Sequence, residues 1–230
     1  MVMRILDGGN EEMFHLVIDL EMCKVPRDYR SKSYRYAYET IQIGAVLLDD
    51  SFKRIGTLCQ YVHPEHGVID YFIENLTGIK NSQVKKAPKL EEVLIHMIDW
   101  LGERDYKIYA WSESDRDQLL HEIKAKEMTD ERIQEFMKAE KWVDYQEVFT
   151  KRFELSRRLS LEEALGRAEI DPEGRFHDGL DDAVNTAYLI EKLELDPEFQ
   201  LVSYEMPDKP SEHLCSTLGE LFAGLNLNFA

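Results

Sequence analysis

Residues 14–20 read FHLVIDL. A short apolar run rich in β-branched residues predicts a buried strand. The run closes on Asp19-Leu20-Glu21. Side chains two apart on a strand point to the same face, so two carboxylates share one side at the end of this strand. Buried like charges repel and raise each other's pKa unless a cation neutralises them. Hard divalent cations such as Mg²⁺ and Mn²⁺ suit carboxylate oxygens and water. On the tripeptide alone, a strand running into a polar turn accounts for the same residues.

Working outward, residues 40–48 (TIQIGAVLL) and 55–62 (IGTLCQYV) predict two more strands. The first two strands are separated by the polar, basic stretch RDYRSKSYRY. Residues 88–102 place Leu90, Val93, Leu94, Met97 and Leu101 at helical spacing. A short strand follows at 107–111, a helix at 114–126 and a last strand at 141–147. Residues 178–194 form a helix with Leu180, Ala183, Val184, Ala187 and Ile190 on one face. Strands first, then helices interleaved with single strands, predict a mixed sheet covered by helices.

The chain of 230 residues suits one large domain with short extensions. The division expected is an N-terminal extension at 1–12, a domain at 13–195, and an extension at 196–230 that packs on the domain or on a partner. The net charge of −17, from 28 basic and 45 acidic residues, argues against broad adhesion to long nucleic acids. An enzyme working at a strand end needs only local positive charge, part of which metal ions supply. Three widely spaced cysteines, Cys23, Cys59 and Cys215, predict neither a disulfide framework nor a zinc finger. No segment is apolar for long enough to cross a bilayer, and the first residues lack the apolar core of a secretory signal. The expected location is the cytoplasm, without membrane contact.

Two further elements carry carboxylates. In Trp111-Ser112-Glu113-Ser114-Asp115, Ser112 and Asp115 fit a capping box, and a first-turn aspartate also lies at the mouth of the sheet. Asp117 competes for the same role. In His177-Asp178-Gly179-Leu180-Asp181-Asp182, a histidine precedes an aspartate by five residues at the start of a long helix. Acidic groups in a first turn favour the helix dipole, but three aspartates exceed what capping needs. A histidine titrates near neutral pH and can take a proton from water. Its acidic neighbours would favour the charged imidazole and nearby metal ions the neutral one; the metals carry the larger charge, so neutral imidazole is expected at neutral pH. Together these elements hold the inventory of two-metal phosphodiester hydrolysis, with ions about 3.5–4 Å apart.

The ordered set resembles the DEDDh branch of the DnaQ-like exonucleases. Its first motif is matched by VIDLE; its second by AWSESDRDQL, which selects Asp115 over Asp117; its third by HDGLDD, which selects Asp182 over Asp178 and Asp181. Leu76-Thr77-Gly78-Ile79 and Val143-Asp144 resemble intervening segments of that family, and Ser112 stands where glycine is more usual. The match runs from about residue 14 to 194 and is most similar to the ERI-like and KapD-like branch. The resemblance implies an RNase H-like α/β fold, a five-stranded mixed β-sheet flanked by helices on both sides. It implies that Asp19, Glu21, Asp115 and Asp182 hold two Mg²⁺ or Mn²⁺ ions and that His177 is the general base. The reaction implied is 3′–5′ hydrolysis of single-stranded RNA or DNA, releasing nucleoside 5′-monophosphates. Leu20, Met22, Thr77 and Gly78 would contact the terminal nucleotide.

Arg27, Arg30, Lys32 and Arg35 interleave with Tyr29, Tyr34 and Tyr36, which suits phosphate contact and base stacking on a single strand. A solvated loop would have the same composition. Lys80, Lys85, Lys86 and Lys89 read as surface lysines, and His63 and His66 as a polar turn. Trp111 is expected in the core beneath the site, and Cys23 has no paired base. Two other readings are weighed: an exonuclease fold that binds a protein partner, like the KapD-type inhibitor of a sporulation kinase pathway, and a DNA polymerase proofreading subunit.

Overall fold

The computed structural model describes residues 12–29 and 37–202. The elements in chain order are β1 (Met13–Lys24), β2 (Tyr38–Leu48), β3 (Arg54–Tyr61), α1 (Tyr71–Thr77), α2 (Asn81–Val84), α3 (Leu90–Leu101), β4 (Asp105–Ala110), α4 (Glu113–Ala125), α5 (Glu131–Phe136), β5 (Trp142–Asp144), α6 (Tyr145–Arg152), α7 (Leu161–Arg167) and α8 (Gly179–Leu195). The sheet runs β3-β2-β1-β4-β5. Strands β1, β2 and β3 are antiparallel neighbours, whereas β4 and β5 join in parallel, so the sheet is mixed as expected. Among the described residues no helix is long and apolar enough to cross a membrane.

Two boundaries correct the sequence reading. Strand β1 does not end at the first carboxylates but continues to Lys24, because β2 pairs with it throughout, past a bulge between Glu21 and Met22. On its other side β4 pairs only with Met13 to Val17. Asp19 and Glu21 thus lie mid-strand, where the sheet has lost one neighbour. The last strand is three residues, not seven: the Asp144 side chain accepts the Glu147 N–H and starts α6.

From Leu16 to Glu21 the two faces of β1 diverge by alternation. Leu16, Ile18, Leu20 and Met22 enter an apolar layer with α3, α4 and α5. Val17 enters a second layer with Trp111, α6, α7 and α8, and Asp19 and Glu21 share its parity. Trp111 is buried edge-on to Phe149, as expected of a core residue beneath the site. Phe199 and Leu201 pack on this second layer. Residues 1–11 and 203–230 lie outside the described residues.

Helix α8 meets the sheet backbone to backbone. Gly44 is the cross-strand partner of Asp19. A Cβ on Gly44 would fall 2.0 Å from the Gly179 carbonyl oxygen, a backbone atom that cannot rotate away. The buried Gln42 completes the joint: its Oε1 accepts the Gly179 N–H at 2.8 Å. Gly44→Ala is therefore expected to destabilise the fold by about 3 kcal/mol or more. Urea unfolding would read this as a lower midpoint at unchanged slope; an unchanged midpoint would show that α8 does not need the contact.

A buried charge cluster fixes the neighbouring loop. Glu39 accepts the backbone N–H groups of Glu65, His66 and Gly67, and Lys126 lies 3.0 Å from Glu39 and 2.9 Å from Glu122. Glu122 also accepts from Thr40 and Gln118, which holds α4 against the start of β2. His63 and His66 belong to this loop, the polar turn expected.

Candidate active site

Three segments converge on the open side of β1. Asp19 and Glu21 come from the strand itself. Asp115 comes from the first turn of α4, where the sequence reading expected a capping box. Ser112 caps the helix as expected, by accepting from the Ser114 N–H, and Asp115 turns toward the sheet. Its Oδ1 accepts the Leu20 N–H at 3.2 Å, on the strand edge that β4 no longer covers. Asp117 is exposed.

The third segment separates its aspartates by function. Asp178 is the N-cap of α8 and accepts the N–H groups of Leu180 and Asp181. Asp181 accepts the Arg175 N–H at 2.7 Å. Asp182 alone is turned inward, where its Oδ2 accepts the His177 N–H at 2.8 Å. His177 adopts φ 64°, a left-handed conformation strained for a residue with a Cβ.

The four carboxylates are 7% (Asp19), 2% (Glu21), 2% (Asp115) and 5% (Asp182) exposed. Burial, then the mutual repulsion of this group, pushes Asp19 and Glu21 well above the usual carboxylate range. Burial raises Asp182 to about 7 against the pull of the His177 N–H. His177 is shifted the other way: burial and then the Arg175 charge lower it, favouring neutral imidazole. Neutral imidazole is the form expected, reached here through burial and the Arg175 charge.

A cation fits this group. Glu21 Oε2 and Asp182 Oδ1 are buried without a hydrogen-bond partner, and such oxygens are costly unless an ion or water meets them. One donor atom each from Glu21, His177 and Asp182 lies within 4.8 Å of the others, a candidate metal site.

The remaining expected contacts are distributed differently. Leu20 and Met22, 4% and 3% exposed, point into the opposite apolar layer. Alternation turns both side chains away from the carboxylates, which leaves the backbone as the part of either residue on the side of the site. Thr77 is buried, its hydroxyl donating to the Ile73 carbonyl and accepting the Ile79 N–H, and Gly78 closes α1 at φ 74°. Arg27 is exposed on a 3₁₀ turn. Arg30, Lys32, Tyr34, Arg35 and Tyr36 lie outside the described residues. Gln42, Gly44, Gly179 and Arg175 were not singled out by the sequence reading. The one available signal was Gln42, a polar residue inside an apolar strand, which must find a buried partner.

Residues 16–190, a span that includes all five residues, match the RNase T-type exonuclease family profile. The chain belongs to this exonuclease family, in its DEDDh branch. Relatives of this exonuclease include ERI1 exoribonuclease 2 of Danio rerio, 30% identical over 206 residues, covering 80% of this chain and 35% of that protein. ERI1 exoribonuclease 2 of Homo sapiens is 29% identical over 202 residues, 77% of this chain and 28% of the human protein. The 3′-5′ exoribonuclease 1 of Mus musculus is 27% identical over 165 residues, 69% and 47% of the two chains. The exonuclease thus spans less than half the length of these curated relatives. Its fold is that of the nuclease domain of 3′hExo, a DEDDh family member solved bound to rAMP, with TM-score 0.67, 24% identity and coverage of 82% of this chain and 96% of that one. A full-length 3′-exonuclease superposes with TM-score 0.67 at 21% identity, over 84% and 68% of the chains.

Proposed function

We propose that this exonuclease hydrolyses single-stranded RNA or DNA from a free 3′ end, releasing nucleoside 5′-monophosphates. The observation that carries the reading is the burial of four like-charged carboxylates beside an imidazole held neutral, a group that is costly in a fold unless it serves cations. Asp19, Glu21, Asp115 and Asp182 would hold two Mg²⁺ or Mn²⁺ ions. Such ions, when bound, lower the pKa of water and neutralise charge on the leaving oxygen. His177 accepts the proton of the attacking water, a task that needs the neutral ring its burial favours. Thr77, Gly78 and the backbone of Leu20 and Met22 meet the terminal nucleotide. Arg27, with Arg30 and Arg35, contacts phosphates upstream. The curated relatives are named exoribonucleases, which makes RNA the first substrate to test.

The test uses 5′-labelled single-stranded RNA and DNA with Mg²⁺, Mn²⁺ or EDTA. Linear strands with a free 3′-hydroxyl should shorten stepwise with metal and release 5′-monophosphates. Strands blocked at the 3′ end and circular strands should resist. Cleavage of circles would identify an endonuclease, and undiminished activity in EDTA would remove the metal from the mechanism.

A further inference from the structure

One side chain in the loop before α8 reaches across to a different helix. Arg175 lies two residues before His177, and its guanidinium returns to the C-terminal end of α1. Nη2 donates to the carbonyl oxygens of Asn75 and, at 2.8 Å, Leu76. The last carbonyls of a helix lack intrahelical partners, and a cation there also meets the negative end of the helix dipole. The fit is close: a Cβ at Gly78, which already needs φ 74°, would fall 2.4 Å from Arg175 Nη1.

The same residue is anchored on its other side. Its backbone N–H donates to Asp181, and Gly174, at φ 70°, is pressed so near that carboxylate that a Cβ would fall 2.2 Å from it. Two residues on, His177 is held left-handed while its N–H donates to Asp182. A non-glycine residue keeps a conformation that costs about 1–3 kcal/mol only while its surroundings enforce it. The Asp181 and Asp182 bonds are local to the start of α8. The Arg175 guanidinium ties this loop to a separate helix, while Gln42 Nε2, donating to Asp178 at 3.3 Å, ties only the loop's last residue to β2.

We infer that Arg175 is a positioning residue: it fastens the His177 loop to the end of α1 and so fixes the imidazole over the carboxylates. The anchor also joins the base to Thr77 and Gly78, immediately beyond the two carbonyls it holds. A gripped 3′ nucleotide and the base then move as one unit. The inference rests on the proposed role of His177 as base. Positioning is favoured over direct phosphate contact because Nη2 is already committed to two carbonyls, and reaching for a phosphate would release the loop.

The test compares wild type, Arg175→Gln and Arg175→Lys in steady-state hydrolysis of the linear RNA with Mn²⁺, and in amide hydrogen exchange without substrate. Misplacing a catalytic group by an ångström costs about 10²-fold, so Arg175→Gln should lower kcat by about 10- to 100-fold. Its KM should stay within about twofold of wild type, as expected of a residue that acts only on the chemical step. Exchange should accelerate at residues 174–178 and stay unchanged in β1 and β2. Arg175→Lys, which keeps the charge but loses the fork, should recover part of kcat. Calorimetric binding of Mn²⁺ should survive in Arg175→Gln, since all four carboxylates remain. A raised KM at unchanged kcat would make Arg175 a phosphate contact and overturn the inference, as would unchanged exchange in the loop. If the wild type itself hydrolyses neither RNA nor DNA with metal, the exonuclease reading fails, and the exchange experiment still decides whether Arg175 holds the loop.

Discussion

In EDTA, the thermal midpoint is expected to fall as pH rises from about 4 to about 8, the reverse of ordinary acid denaturation. Asp182 is raised from its ordinary 3.8 to about 7, and Asp19 and Glu21 are raised as well. Between those two values the folded protein holds protons that the unfolded chain has released. This stability is fully present below the unfolded pKa and is lost as pH rises through the folded one. For a carboxyl shifted as far as Asp182 the loss is on the order of 4 kcal/mol, against a total stability of about 5–15 kcal/mol for a typical domain. At about 2–4 °C per kcal/mol for a chain of this size, the midpoint should drop by roughly 10 °C. Mn²⁺ should restore it most at the alkaline end, where the carboxylates are charged and ready to bind. Scanning calorimetry across this pH range, with EDTA and then with Mn²⁺, measures both. A midpoint that climbs steadily with pH in EDTA would show that the carboxylates are not strained by their proximity.

Glu21→Gln should move stability and activity in opposite directions. The substitution keeps the shape of the side chain and removes one negative charge from a buried group of four. At about pH 8 without metal, the variant should be more stable than wild type by about 1–4 kcal/mol, the scale on which unpaired buried charge destabilises a fold. Turnover should fall at least about 10³-fold, which corresponds to losing about 4 kcal/mol of transition-state stabilisation. Mn²⁺ affinity should weaken in parallel, because a neutral amide oxygen is a poor replacement for a carboxylate. Melting in EDTA, isothermal titration with Mn²⁺ and the RNA assay on one preparation provide the comparison. A variant that melts lower than wild type in EDTA, or that keeps its turnover, would contradict the arrangement.

The alternation of β1 was legible because a strand's period of two is local. Its length was not, because a charged residue ordinarily ends a buried strand, and Asp19 and Glu21 are the exception a functional site makes. The final strand was overextended for the opposite reason: Trp142 to Tyr145 looks strand-like, but Asp144 caps a helix instead. Helices α1, α2, α5 and α7 span seven residues or fewer, too short for a 3.6-residue period to stand out. The five candidate residues were singled out by the resemblance of three ordered motifs to the DEDDh family. What holds them was invisible there, since the contacts of Gln42 with Gly179 and of Arg175 with Leu76 join residues about a hundred positions or more apart. Neutral imidazole at His177 was expected from metal charge, whereas burial and the Arg175 charge already favour it in the fold.

The parity of β1 has a consequence for how such a gene can change. Substituting one of the five residues leaves the other four facing the same way. Losing a single codon among residues 14–18 would instead turn over everything after it. Leu20 would come round to face α8, and both carboxylates would enter the apolar layer formed with α3 and α5. Folding and chemistry would fail together. Mutational drift through this strand is thus confined to replacement, whereas the loop between β1 and β2 can lengthen or shorten without disturbing that parity.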